Sequence, residues 1–205
     1  MDTDRLLARE GLAPEVRVLV GAAAAVWRAD WSELKAWTSR ARELGHRRGD
    51  LEEALLMCAL FCGFPRAITA WGHLEDAWPA PDAPSGGGLP EAERSSAGDA
   101  LFAAVYGDNE ARVREMLRGY HQELHDFVLE SAYARILTRP GLPPLERELI
   151  AVGVLAAKDQ ERQFRGHARG ARNVGATQRQ LEEVLATVFA RDPARATAWA
   201  QLASR

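Results

Sequence analysis

The 205 residues are 47% apolar and 27% charged, a balance that supports one or two packed domains and excludes a disordered chain. A net charge of −3 gives the whole no pull toward nucleic acid or an anionic membrane. The N-terminus MDTDRLLARE has no apolar signal core and GAAAAVW is too short to span a bilayer, so a cytoplasmic protein without membrane contact is expected.

Ala, Leu, Arg and Glu dominate, β-branched runs are rare, and apolar residues recur at helical spacing, which predicts an all-α chain. The first four helices are expected near 14–28, 31–44, 50–62 and 65–78. Cys58 and Cys62 stand at i, i+4 in the apolar run LLMCALFCGF, a spacing poorly suited to a disulfide, and are read as two reduced thiols of a buried helix. Residues 79–98, rich in Pro, Gly and Ser, read as a flexible linker. Helices then follow near 99–106, 109–118 and 121–138. HQELH (121–125) offers two histidines one turn apart but no third ligand, so no metal is expected. The last four helices are expected near 144–157, 160–174, 177–190 and 193–203. The stretch ARNVGATQRQLEEVL has the outline of a helix-turn-helix, yet its second helix carries Glu182 and Glu183, which disfavours DNA.

An internal repeat explains that turn without DNA. A shift of 130 residues lays Arg17 on Arg147, Ala41 on Ala171, Gly45 on Gly175, and Leu51-Glu52-Glu53 on Leu181-Glu182-Glu183. After a two-residue slip, LFCGFPRAITAW lies on VFARDPARATAW. Residues 1–78 therefore read as a degenerate N-terminal unit and 99–205 as the unit carrying the candidate site. Units this small bury little alone, so pairing or homo-oligomerisation is the physical expectation.

Duplication supplies its own control, because equivalent positions share the work of packing. Glu148 lies on Val18, His167 on Trp37, Gln163 on Glu33 and Gln160 on Asp30. At the positions of Glu148 and His167, a carboxylate and an imidazole therefore stand only in the second unit. Glu148 and His167 are equidistant from the break inferred at Lys158-Asp159, so they face each other across an antiparallel hairpin. A carboxylate beside an imidazole orients one ring nitrogen and raises its basicity, as proton transfer requires. Gln160, Gln163 and His167 share one helix face, where the amides are candidates to hydrogen-bond a small ligand or to hold the ring. A buried, satisfied structural Glu–His pair is the alternative.

RPGLPPLERELIAVGVLAA (139–157), the QxxQxxxH segment with HARGARNVGAT (160–177), and QLEEVL (180–185) together resemble the carboxymuconolactone decarboxylase family, which includes the alkylhydroperoxidase D group. The first half looks like a degenerate copy of the same unit. The resemblance implies an all-helical fold assembled as trimers or hexamers, with sites near subunit contacts; no cofactor is expected. The family's peroxidase branch carries a Glu followed by Cys-x-x-Cys-x-x-x-His. Glu148 and His167 match that pattern, but Gln160 and Gln163 replace both cysteines, which argues against thiol peroxidase chemistry there. The decarboxylase branch has Glu four before the His, where this chain has Gln163, which cannot transfer a proton. Glu148 is the candidate substitute, for acid–base chemistry of lyase type on a small lactone or carboxylate. A non-catalytic oligomer binding a ligand in the same place, and a redox protein using Cys58 or Cys62, are the other readings.

Overall fold

The computed structural model describes residues 3–80 and 87–204, and every regular element among them is helical. The order is α1 (Thr3–Leu7), α2 (Pro14–Arg28), α3 (Trp31–Glu43), α4 (Arg48–Cys62) and α5 (Phe64–Ala77). Then come α6 (Glu91–Tyr106), a 3-10 turn (Gly107–Asn109), α7 (Glu110–Tyr120) and α8 (Gln122–Phe127). α8 runs on as a π-helical segment (Val128–Leu137), followed by α9 (Pro144–Ala157), α10 (Glu161–Asn173), α11 (Gln178–Val188) and α12 (Pro193–Ala203).

The helix expected at 99–106 begins at Glu91, so the C-terminal part of the stretch read as a linker is helical. Residues 81–86 of that stretch lie outside the described residues. Ser and Gly made 91–98 look like a loop, but Gly98 is where α6 meets the π-helical segment. A Cβ there would lie 2.8 Å from the Ala134 Cα, so only glycine permits the approach. The short α1 was not anticipated.

Equivalent helices start at equivalent residues: α2 and α9 at Pro14 and Pro144, α3 and α10 at Trp31 and Glu161, α4 and α11 at Arg48 and Gln178. Proline in the first turn supplies a preset φ and lacks only an N–H that would have no helical partner. α2 and α9 pack on each other at the centre. They bury almost every face, from Val16 to Val26 and from Arg147 to Ala156, as their near-continuous apolar sequences require. The turns after α3 and α10 use Gly45 and Gly175 at φ +73° and +105°, left-handed values that a Cβ would oppose.

The two halves are tied by reciprocal ion pairs. Arg17 Nη2 donates to Glu183 Oε2 at 3.0 Å, and Arg147 Nη2 donates to Glu53 Oε2 at 2.9 Å. Each guanidinium also caps a carbonyl of its own half, Arg9 O and Arg139 O. Arg9 and Arg139 in turn bond the same two carboxylates. Burial pushes the Arg17 guanidinium below its usual value despite Glu183. Burial would raise the Glu183 carboxyl, but the bonds from Arg9 and Arg17 outweigh it and hold the group below its ordinary range.

Candidate functional site

Glu148 follows Pro144 by one turn on α9, and His167 lies midway along α10. α9 ends at Ala157, Asp159 takes φ +58°, and α10 begins just after Gln160, which reverses the chain. The hairpin brings Glu148 Oε2 within 2.9 Å of His167 Nδ1. The Glu148 side chain is 4% exposed and that of His167 16%, so access to the pair is through the imidazole. Burial depresses the His167 pKa, but the Glu148 charge and hydrogen bond outweigh it and raise the ring above its ordinary value. Nδ1 is committed to the carboxylate, which leaves Nε2 as the nitrogen available to exchange a proton.

Glu148 is seated by small residues and aromatic neighbours. A Cβ on Gly170 would fall 2.9 Å from Glu148 Oε2 and 2.7 Å from Val105 Cγ1, so glycine is what lets the carboxylate sit against α10. Asn173 Nδ2 donates to Val105 O at 2.8 Å and fixes α6 against the same helix. Phe61, from α4, meets the His167 ring edge-on at 5.8 Å between centroids. Phe102, Tyr106 and Tyr133 form an aromatic cluster on α6 and the π-helical segment. Burial keeps both phenols protonated, and Glu148's charge adds to that in each case.

Sequence reasoning missed the two tyrosines. Tyr106 belongs to the insertion between the units, and Tyr133 aligns with Thr3, so comparing the repeats could not single them out. Gln160 and Gln163 do not join the pair. Both are exposed at the start of α10. Gln160 Nε2 reaches only Lys158 O, at 3.5 Å, and the Gln163 side chain makes no hydrogen bond among the described residues. Cys58 and Cys62 lie on α4, the helix whose end carries Phe61.

In the first unit, Val18 and Trp37 are fully buried at the matching positions. The indole occupies the space left by Gly21, where a Cβ would come within 2.2 Å of the ring. Packing thus fills in one half what a polar pair fills in the other.

His121 and His125 do not converge. His121 Nδ1 accepts from Glu123 N at the start of α8, and His125 Nδ1 pairs with Asp126 at 2.8 Å. Among the described residues no group of three or more His, Cys, Asp or Glu could hold a metal ion, and no helix is long and apolar enough to cross a membrane. A groove of about 770 Å³ lies between α1, α11 and α12, and a pocket of about 220 Å³ lies near His46 and Glu146; neither is lined by the Glu148–His167 pair.

Comparison with known proteins places the chain in a family. The model of the "Carboxymuconolactone decarboxylase family" matches residues 2–76 and 122–203, the two repeated units without the insertion between them. "Peroxisomal protein 2" of Schizosaccharomyces pombe is 30% identical over 134 residues, 64% of this chain and 63% of that protein. "4-carboxymuconolactone decarboxylase" of Acinetobacter baylyi is 34% identical over 74 residues, 36% of this chain and 55% of the relative. The alignments thus span roughly three fifths of the length of these curated relatives. With both units matched and the same helical order in each, the chain belongs to the carboxymuconolactone decarboxylase family.

Proposed function

We propose that the chain is an acid–base catalyst of lyase type acting on a small lactone or carboxylate, with His167 as proton carrier and Glu148 as its partner. The observation that carries the reading is the 2.9 Å contact between Glu148 Oε2 and His167 Nδ1 in a setting that raises the imidazole's basicity. Glu148 holds the ring with Nδ1–H toward the carboxylate; as the C–C bond to the substrate's carboxylate breaks and CO2 leaves, Nε2–H delivers its proton to the enolate carbon left behind and is reprotonated from water. The neutral phenols of Tyr106 and Tyr133 keep the surroundings of Glu148 free of a second negative charge. Gln160 and Gln163, exposed at the start of α10 and outside the pair, are assigned in this reading to meeting an incoming carboxylate, since an amide hydrogen-bonds but does not exchange protons.

The A. baylyi relative is named for the decarboxylation of a carboxylated lactone, which supports this substrate class. Thiol peroxidase chemistry is not part of the reading at these positions, because neither Gln160 nor Gln163 has a sulfur. A homo-oligomer, trimeric or hexameric, fits the exposed apolar side chains Phe64 and Ile68 on α5 and Tyr120, Leu124 and Phe127 on α7–α8. A cytoplasmic location remains an expectation, against which stands the peroxisomal name of the S. pombe relative.

The test is solvent deuterium uptake, followed by proton NMR, into a panel of small unsaturated lactones and dicarboxylic acids. Exchange or decarboxylation with wild type that is lost in His167→Ala supports the reading. Ligand binding with no exchange or turnover would assign the pair to a non-catalytic binding role instead.

A further inference from the structure

Cys58 and Cys62 play no part in the acid–base reading, yet they occupy the same corner of the fold. They lie one turn apart on α4, Cys58 buried and Cys62 partly exposed at the last helical position. Cα atoms four residues apart in an α-helix are about 6 Å from each other, inside the span of a disulfide. In mid-helix the Cβ directions oppose the bond. Here the helix stops at Cys62, and Gly63 turns the chain into α5, so the terminal residue can rotate without breaking helix beyond it.

Two cations flank that end. Lys158 Nζ donates to Phe61 O, the carbonyl just before Cys62, and Arg66 donates to Trp27 O. Both also stack on the Trp27 ring, at 4.5 Å and 4.4 Å from its centroid, which holds them in place. The hydrogen bond from Cys58 lowers the Cys62 pKa; burial opposes this, and the Lys158 and Arg66 charges add to the lowering. The same hydrogen bond, with burial, pushes Cys58 well up. One sulfur is thus prepared to ionise while its neighbour keeps its proton, the division of labour between an attacking and a resolving thiol.

We infer that Cys62 and Cys58 form a reversible dithiol modification site, closed to an intrahelical disulfide by a two-electron oxidant of the peroxide class. The Cys62 thiolate attacks one peroxide oxygen, the O–O bond breaks, and hydroxide leaves and is protonated to water. Cys62 is then a sulfenic acid. The Cys58 sulfur attacks the Cys62 sulfur, the S–O bond breaks, and the departing hydroxide takes the Cys58 proton as a second water. The pair has lost two electrons and peroxide has gained them; a small dithiol reverses the change by exchange.

The experiment exposes the full chain to hydrogen peroxide near neutral pH, blocks free thiols with N-ethylmaleimide, and maps the tryptic peptide 49–66. The expected product is that peptide two hydrogens lighter, unlabelled, and restored by dithiothreitol. Cys58→Ser accumulates a dimedone-trappable sulfenic acid on Cys62, and Cys62→Ser leaves Cys58 unreacted. Lys158→Met slows oxidation about threefold and Lys158→Arg restores it, because the neighbouring cation supports the thiolate. Full maleimide labelling of both cysteines after peroxide, a disulfide between chains, or dimedone on Cys58 overturns the inference. His167→Ala oxidises as wild type does, so this result and that of the acid–base test stand or fall separately.

Discussion

Replacing Glu148 with Gln removes a charge from His167 while keeping the shape of its partner. In the folded chain, burial works against the imidazolium and is outweighed only by the Glu148 charge and hydrogen bond. A hydrogen bond to a charged group contributes about 1.5–3 kcal/mol, and 1.4 kcal/mol is a tenfold change in an equilibrium. Glu148→Gln therefore weakens proton binding at His167 by about ten- to a hundredfold. Burial is then unopposed, so the variant titrates below the ordinary histidine value of 6.5 where the wild type titrates above it. The assay is a pH titration of the imidazole Cε1–H signals by carbon–proton NMR. The chain has five histidines, so His167→Ala is needed to identify the signal. A Glu148→Gln midpoint equal to or above wild type refutes the pairing argument.

Because the folded value of His167 is raised, its contribution to stability is complete below 6.5 and is lost as pH rises through the folded value. Thermal melts across that range should show a decline that His167→Gln abolishes. Glu183 has the opposite sign: its folded value is depressed below 4.5, so its contribution is present above 4.5 and lost as pH falls through the folded value. Glu183→Ala leaves the buried Arg17 unpaired and should cost about 3–5 kcal/mol in urea unfolding. Gly170→Ala forces Glu148 and Val105 apart, costs about 1–3 kcal/mol, and lowers the His167 titration midpoint. Trp37→Ala opens a cavity under Gly21 and should cost about 3–5 kcal/mol without moving that midpoint, since the indole belongs to the other half.

The helices were legible because apolar spacing, proline starts and the glycines at 45 and 175 act locally, within a turn or two of chain. The Glu148–His167 contact was legible for a related reason, since a short antiparallel hairpin converts equal distance from the turn into equal height. Tertiary contact decided the rest. Residues 91–98 open with a helix start, Pro90 followed by Glu91 and Glu93, but the reason for a glycine at 98 lies in Ala134 of a distant segment, which the local sequence does not show. Gln160 and Gln163 share a face with His167, but that face is wide enough for the ring to turn inward while the amides stay in water. The approach of α4 to the hairpin, with Phe61 against His167 and Lys158 on Phe61 O, crosses the two units and has no signature in either unit alone.

The crossed arginines carry a further implication. Arg17 finds its carboxylate in the other half, and Arg147 finds its own in the first. Expressed alone, either half keeps a guanidinium and a glutamate, each shaped for a partner it no longer meets. Two identical copies of the second half could satisfy both, with Arg147 of one against Glu183 of the other. The single chain is thus organised as a covalently joined dimer whose subunits have been allowed to diverge. Because the ion pairs that join the halves are made elsewhere, the packing under them tolerates an indole at Trp37 where the other half has the imidazole of His167.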